Sequence, residues 1–223
     1  MKSVIIFLLF LLVGVAAVVG YSYWNHQSVA FILSKPAIAT KFSMATAPIE
    51  SLKGNIASMS GTATWLSRTA ENPVKLKSPR SIQQGEELGT SKNGNVAVVI
   101  QNAEAIILSP NSLVTFIQML PINIVLEQTS GSVMYQNTGQ SAMSVRTFNL
   151  ITAINRGSAE ISMDQKTNAI TVTVDKGLVT EGYLDANGNS NVINVNAGQQ
   201  FVFDEIALTG TVEGKAEIQT KKF

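Results

Sequence analysis

Residues 54–207 predict an all-β domain, a solenoid-like or sandwich-like stack of short strands, preceded by one N-terminal transmembrane helix. Three observations carry that expectation. Short β-branched runs recur every ~8–12 residues with Gly, Asn or Pro turns between them. Some of them alternate in polarity, as a half-buried strand must: Ile170, Val172 and Val174 against Thr171 and Thr173. No window of the body shows a 3.6-residue apolar period.

The helix comes first in the chain. Val4–Gly20 has no charged or strongly polar side chain, and only Met1, Lys2 and Ser3 precede it. At ~1.5 Å per residue it reaches about 26 Å, just short of the ~30 Å hydrocarbon core. Tyr21, Tyr23 and Trp24 follow at headgroup level. Lys2 is the one basic residue near either end, so the positive-inside bias puts the N-terminus in the cytoplasm and the body outside. Three residues cannot fold, which leaves no cytoplasmic domain. A cleaved signal peptide, cut near Ala16, Ala17 or Gly20, is the alternative; the run's length and the aromatic cluster favour a signal anchor. The expected localisation is the bacterial cell membrane, single-pass, or secretion after signal cleavage. Either way the body lies in the periplasm or beyond.

Residues 25–53 read as a stalk, with Pro36 and Pro48 and no acid until Glu50. The β-domain spans 54–207, and 208–223 read as a C-terminal tail. Within the domain Val96–Ile100 is apolar at every position, which predicts a strand covered on both faces. Further strands are expected at Ala105–Leu108, Val114–Gln118, Asn123–Leu126, Ser132–Tyr135, Met143–Thr147 and Ala159–Met163, with a short one at Ala153–Ile154. The last are Leu178–Tyr183, Val192–Val195 and Gln200–Phe203. Asn93-Gly94, Pro110-Asn111, Thr138-Gly139, Lys176-Gly177 and Asn187-Gly188 read as the turns between strands.

Composition excludes several functions. Of 16 Lys and Arg and 15 Asp and Glu, only Lys2 falls within residues 1–24, so the exterior is charge-balanced and a poor match for nucleic acid. Cys is absent, which removes disulfides and thiolate metal sites. The one His, His26, stands at the membrane exit, so no His-based triad or metal cluster forms in the domain. Asp204-Glu205 and Glu86-Glu87 are adjacent pairs that point to opposite faces of a strand and read as surface charge. Lys75, Lys77 and Arg80 read as a solvated edge that discourages strand-to-strand aggregation. The chain is read as a non-enzyme with no cofactor.

The order of strands and turns resembles a FecR-type domain, an extracytoplasmic module of bacterial signalling regulators. Gly61–Leu66 and Gln84-Gly85-Glu86-Glu87-Leu88 match its opening. Val96–Ile100, Asn102-Ala103-Glu104 and Ile106-Ile107-Leu108-Ser109-Pro110-Asn111-Ser112-Leu113 match its paired strands and leucine–x–proline–asparagine–serine corner. Ile124-Val125-Leu126, Gly131-Ser132-Val133-Met134-Tyr135 and Arg156-Gly157-Ser158 follow, with Ser158 where the family has Thr. Ile170–Val174, Lys176-Gly177-Leu178-Val179 and Ala197-Gly198-Gln199-Gln200 close the pattern. The resemblance covers Leu88 to Glu205 and implies an all-β fold without enzymatic activity. The family's cytoplasmic segment that grips a sigma factor has no counterpart here, so direct sigma-factor control is not implied.

The expected function is binding: another envelope protein, in a sensor-like or scaffold role, or alternatively a glycan or peptidoglycan. A groove with two or three aromatic rings would favour the glycan, with Trp65, Tyr135 and Tyr183 as candidates. A flat apolar patch or an open sheet edge would favour protein. Asp185, Asn187 and Asn189 offer oxygens for a metal, but calcium loops carry more carboxylates and Asn187-Gly188 is a strong hairpin signal.

Overall fold

The computed structural model describes residues 47–101, 104–164 and 166–214, all within the contact unit Ser43–Phe223. The Val4–Gly20 run, most of the stalk, His26 and the end of the tail lie outside the described residues. Among the described residues there is no helix, so none long and apolar enough to cross a membrane.

Period-two alternation becomes strand almost throughout. In chain order the strands are β1 (Gly54–Ser60), β2 (Ala63–Leu66), β3 (Val74–Lys75), β4 (Ser81–Ile82) and β5 (Glu87–Thr90). Next come β6 (Asn95–Ile100), β7 (Glu104–Leu108), β8 (Leu113–Leu120), β9 (Asn123–Ser130), β10 (Ser132–Asn137) and β11 (Ala142–Thr147). The series ends with β12 (Leu150–Asp164), β13 (Ala169–Leu184), β14 (Ser190–Asn196), β15 (Gln200–Asp204) and β16 (Thr209–Glu213). Pairing thus continues past Ala207, into residues the sequence assigns to the tail. Val96–Ile100 buries Val96, Val98 and Ile100 and leaves Ala97 and Val99 half-buried. One face is covered fully and the other in part, not both as expected.

The strands form one sheet that curls back on itself in two arms. One arm runs β3-β2-β5-β8-β9-β11 into the first half of β12; the other runs β4-β1-β6-β7-β10 into its second half. β12 and β13 form a long antiparallel hairpin that belongs to both arms. Beyond it, β14 extends the first arm, and β15 and β16 extend the second. Because β10 joins the other arm, β9 and β11 become neighbours in parallel.

The arms share one core. Val98, Ile106, Tyr135, Ala159 and Val174 line up across one arm, and Phe116, Leu126 and Val145 across the other, all buried. Gln128 of β9 ties them: its Nε2 donates to the Ile161 carbonyl of β12 at 3.0 Å, and its Oε1 accepts the Tyr135 hydroxyl of β10 at 3.0 Å. The Pro110-Asn111-Ser112 corner, where the chain changes arms, is architectural. Ser112 Oγ donates to the Ser132 carbonyl at 2.8 Å, and the Ser112 amide donates to Thr90 Oγ1 at 3.0 Å.

The long hairpin overturns one expected turn. Lys176-Gly177 does not end a strand; β13 runs through it, with Gly177 paired to Gly157 and register shifts on either side. Gly157 (φ 150°) and Gly177 (φ 78°) bring the two backbones together, so that a Cβ on either would lie 2.2 Å from a carbonyl oxygen of the opposite strand. Opposed glycines let the ladder bend without breaking, and the arms diverge at that bend.

Candidate functional site

Past the bend, β11, the first half of β12, the second half of β13 and β14 form a sheet with two contrasting faces. Inward, Phe116, Leu126, Val145, Thr152, Glu181 and Ile193 lie in one cross-strand row. Outward, the neighbouring row is Glu127, Arg146, Ile151, Gly182 and Val192. Glu127 and Arg146 pair by a salt bridge at its rim. Ile151 is 51% exposed, Val192 70%, and Leu184, on the same face, 57%. Gly182 between them carries no side chain, so the patch is flat as well as apolar. Ile151 of β12, Leu184 of β13 and Val192 of β14 are therefore apolar without being core.

Among the described residues β14 pairs only with β13, so that its other side is an open edge among them. Bonds from the Ala197 amide to the Gly177 carbonyl (3.0 Å) and from the Asp185 amide to the Asn189 carbonyl (2.9 Å) set the phase of the ladder. In an antiparallel pair bonded positions alternate, so Asn191, Ile193 and Val195 bond inward. The N–H and C=O of Val192 and Asn194 then point away from the sheet, beside the exposed Val192 side chain.

A cleft of about 580 Å³ indents the same face near the bend, bordered by Gln140, Ser141, Asn155, Arg156, Leu178 and Thr180. Its wall is held from beneath by buried Asn137, whose Nδ2 donates to the carbonyls of Ser141 (2.8 Å), Ile154 (2.7 Å) and Asn155 (3.1 Å). Asn137 Oδ1 accepts the Gly139 amide at 3.1 Å.

The aromatic candidates do not meet in a groove. Tyr135 is fully buried within the core, where it offers no ring to a groove; burial pushes its phenol well above the ordinary range. Tyr183 packs beside the core, its ring 5.0 Å from Phe203 and 6.2 Å from Phe201. Trp65, half-buried on β2, has the Arg80 guanidinium 3.4 Å above its ring, so that face is occupied. Its Nε1 is buried with no hydrogen-bond partner among the described residues.

The Asp185 loop is a hairpin turn. Asp185 Oδ1 accepts the amides of Asn187 (2.9 Å) and Asn189 (2.8 Å), and Oδ2 accepts Asn189 Nδ2 at 3.0 Å. Those bonds, the Asn189 side chain first, hold its carboxyl below the usual range. Both oxygens thus serve the turn. Asp204 likewise caps the turn after β15 through the amides of Ile206 (2.8 Å) and Ala207 (2.9 Å). Glu86 departs from its reading as surface charge: it is buried and accepts the Gln83 amide at 2.8 Å.

One residue was missed by sequence reasoning. Glu181 is fully buried in the inward row, where Thr152 Oγ1 donates to its Oε2 at 2.8 Å and Oε1 has no partner among the described residues. Burial pushes its carboxyl up to about 8, against the smaller opposing effect of the Thr152 hydroxyl. Its phase was legible: it follows Val179 by two, on the buried side of the strand.

No protein-family model matches the chain, and no curated protein matches it in sequence. Among solved structures it is similar to two from Parabacteroides distasonis, each of a protein provisionally described as an anti-sigma factor. Identity is 14% and 13%, the TM-score is 0.49 for both, and the match covers 58% of this chain and 59% of each of theirs. The chain therefore spans less than two thirds of the length of these relatives.

Proposed function

We propose that the chain is a membrane-anchored, extracytoplasmic binding module that docks another envelope protein and performs no catalysis. One observation supports this most: among the described residues the β14 edge is open, and it lies beside a flat, exposed apolar patch of Ile151, Leu184 and Val192. Backbone groups aimed outward add a strand by hydrogen bonding, and apolar neighbours supply burial, which is the recipe for strand addition. The Val4–Gly20 run supports a membrane anchor, and the serial motifs resembling a FecR-type domain support an extracytoplasmic site of action. The glycan alternative loses its main support, since Trp65, Tyr135 and Tyr183 share no groove.

Capture tests the proposal. The full chain, purified in mild detergent, is used to retain proteins from solubilised native envelopes, in parallel with Val192→Lys. A discrete protein retained by the native chain and lost with the variant is the expected result. Retention on purified peptidoglycan, with no protein retained, would replace the proposal by the glycan reading.

A further inference from the structure

The cleft beside Arg156 is electrostatically one-sided. Arg156 is the charged side chain of its border, and no Asp or Glu stands among the bordering residues. Among the described residues its guanidinium has neither an ion-pair nor a hydrogen-bond partner. By contrast Arg146, on the same face, is neutralised by Glu127. An exposed Arg without a partner is ordinary by itself, but this one is set in a prepared surround. The loop opposite it is fixed by the four bonds of buried Asn137, so little ordering remains to be done on binding. Gln140 and Asn155 add amide groups and exposed Leu178 adds an apolar floor, whereas the Ser141 and Thr180 hydroxyls already donate to the Pro121 carbonyl (2.8 Å) and Asn194 Oδ1 (2.9 Å).

The cleft is also continuous with the docking face. Leu178 and Thr180 of β13 stand in register with Asn196 and Asn194 of β14. Arg156 is paired with Leu178 one strand further in. Two strand spacings, roughly 10 Å, thus separate Arg156 from the open edge. A planar guanidinium favours bidentate pairing with carboxylate.

We propose that this cleft is a carboxylate-binding subsite, and that the segment docked on this face is an acidic stretch of a partner protein which places a carboxylate on Arg156. The inference rests on the protein-docking function above and specifies the chemistry of its partner. The carboxylate is that of an Asp or Glu side chain in that stretch.

Fluorescence polarisation with the full chain in detergent tests it. The probes are labelled peptides: alternating Glu and Val with an amidated C-terminus, Gln and Val amidated, and Gln and Val with a free C-terminus. The expected result is that the first peptide binds and the other two do not, and that Arg156→Gln weakens it about tenfold or more while Arg156→Lys weakens it less. Lys92→Gln, in the exposed turn between β5 and β6, should leave it unchanged, and the melting curve of each variant reports its folding. Equal binding of all three peptides, insensitivity to Arg156→Gln, or no binding at all overturns the subsite. Arg156-dependent binding of polygalacturonate with no peptide binding overturns it too. Envelope capture that depends on Val192 would survive each of the first three failures, so loss of the subsite and loss of the docking function are separable.

Discussion

Two edges of the same arm are finished in opposite ways. At one end β3 is two residues long, followed closely by Lys77 and Arg80, and Arg80 lies over Trp65. The chain beyond β3 crosses to the other arm: the Leu76 amide bonds the Ala63 carbonyl, and the Arg80 carbonyl receives the Ile56 amide. At the other end β14 is seven residues long, carries no Lys, Arg or Pro, and exposes Val192. Proteins suppress unwanted pairing by short edges, charge and cover. The β3 edge has the first two and the β14 edge has neither, a contrast that supports the docking proposed at β14.

A large effect of a single substitution is expected at the bend on which both edges depend. Gly177→Ala would place a Cβ 2.2 Å from the Arg156 carbonyl oxygen at a positive φ. It should destabilise the domain by about 2 kcal/mol or more in denaturant unfolding. A neutral result would mean that the strands do not approach so closely there.

Next comes Glu181, which stands in register with Ile193 of β14. Its folded-state value of about 8 lies above the ordinary carboxylate value of 4.5. Between the two the folded chain holds a proton that the unfolded chain has lost. Stability therefore falls as pH rises through that window, by at most about 1.4 kcal/mol per unit, and levels off above it. Glu181→Gln should flatten the profile and be more stable than the native chain at pH 9. In the native chain, protection of β14 amides relative to their intrinsic, base-catalysed exchange should fall at alkaline pH more than that of β3 amides. An unchanged profile in the variant would remove Glu181 as the source.

A smaller effect is expected at the closed edge. Arg80→Ala should cost about 0.5–2 kcal/mol through the lost cation–π contact and quicken exchange in β3 but not in β14. Equal quickening of both edges would show that they are not independent. The smallest effect concerns calcium, which should leave the melting temperature unchanged because both Asp185 oxygens already serve the turn. A rise on calcium addition would restore Asp185, Asn187 and Asn189 as a metal site.

Local alternation made the strands legible, because burial on one face writes itself into every second residue, as at Ile170, Val172 and Val174. What alternation cannot express is which strands meet. The Gly157–Gly177 pairing joins residues twenty apart, and Gly177 alone looked like a turn. The outward apolar row was hidden for the same reason: Ile151, Leu184 and Val192 each resemble core residues until the register places them on one exposed face. Tyr135 shows the converse. An amphipathic ring suits either surface or core, and only its bond to Gln128 decides.

The most direct test is a photo-crosslinking residue placed at Val192 in living cells, with a second at Val74, which is also exposed but lies on the closed edge. An adduct of one defined mass at position 192, and none at 74, is the predicted result. Adducts of the same mass at both positions, or none at 192 while 74 reacts, would contradict docking at the β14 edge.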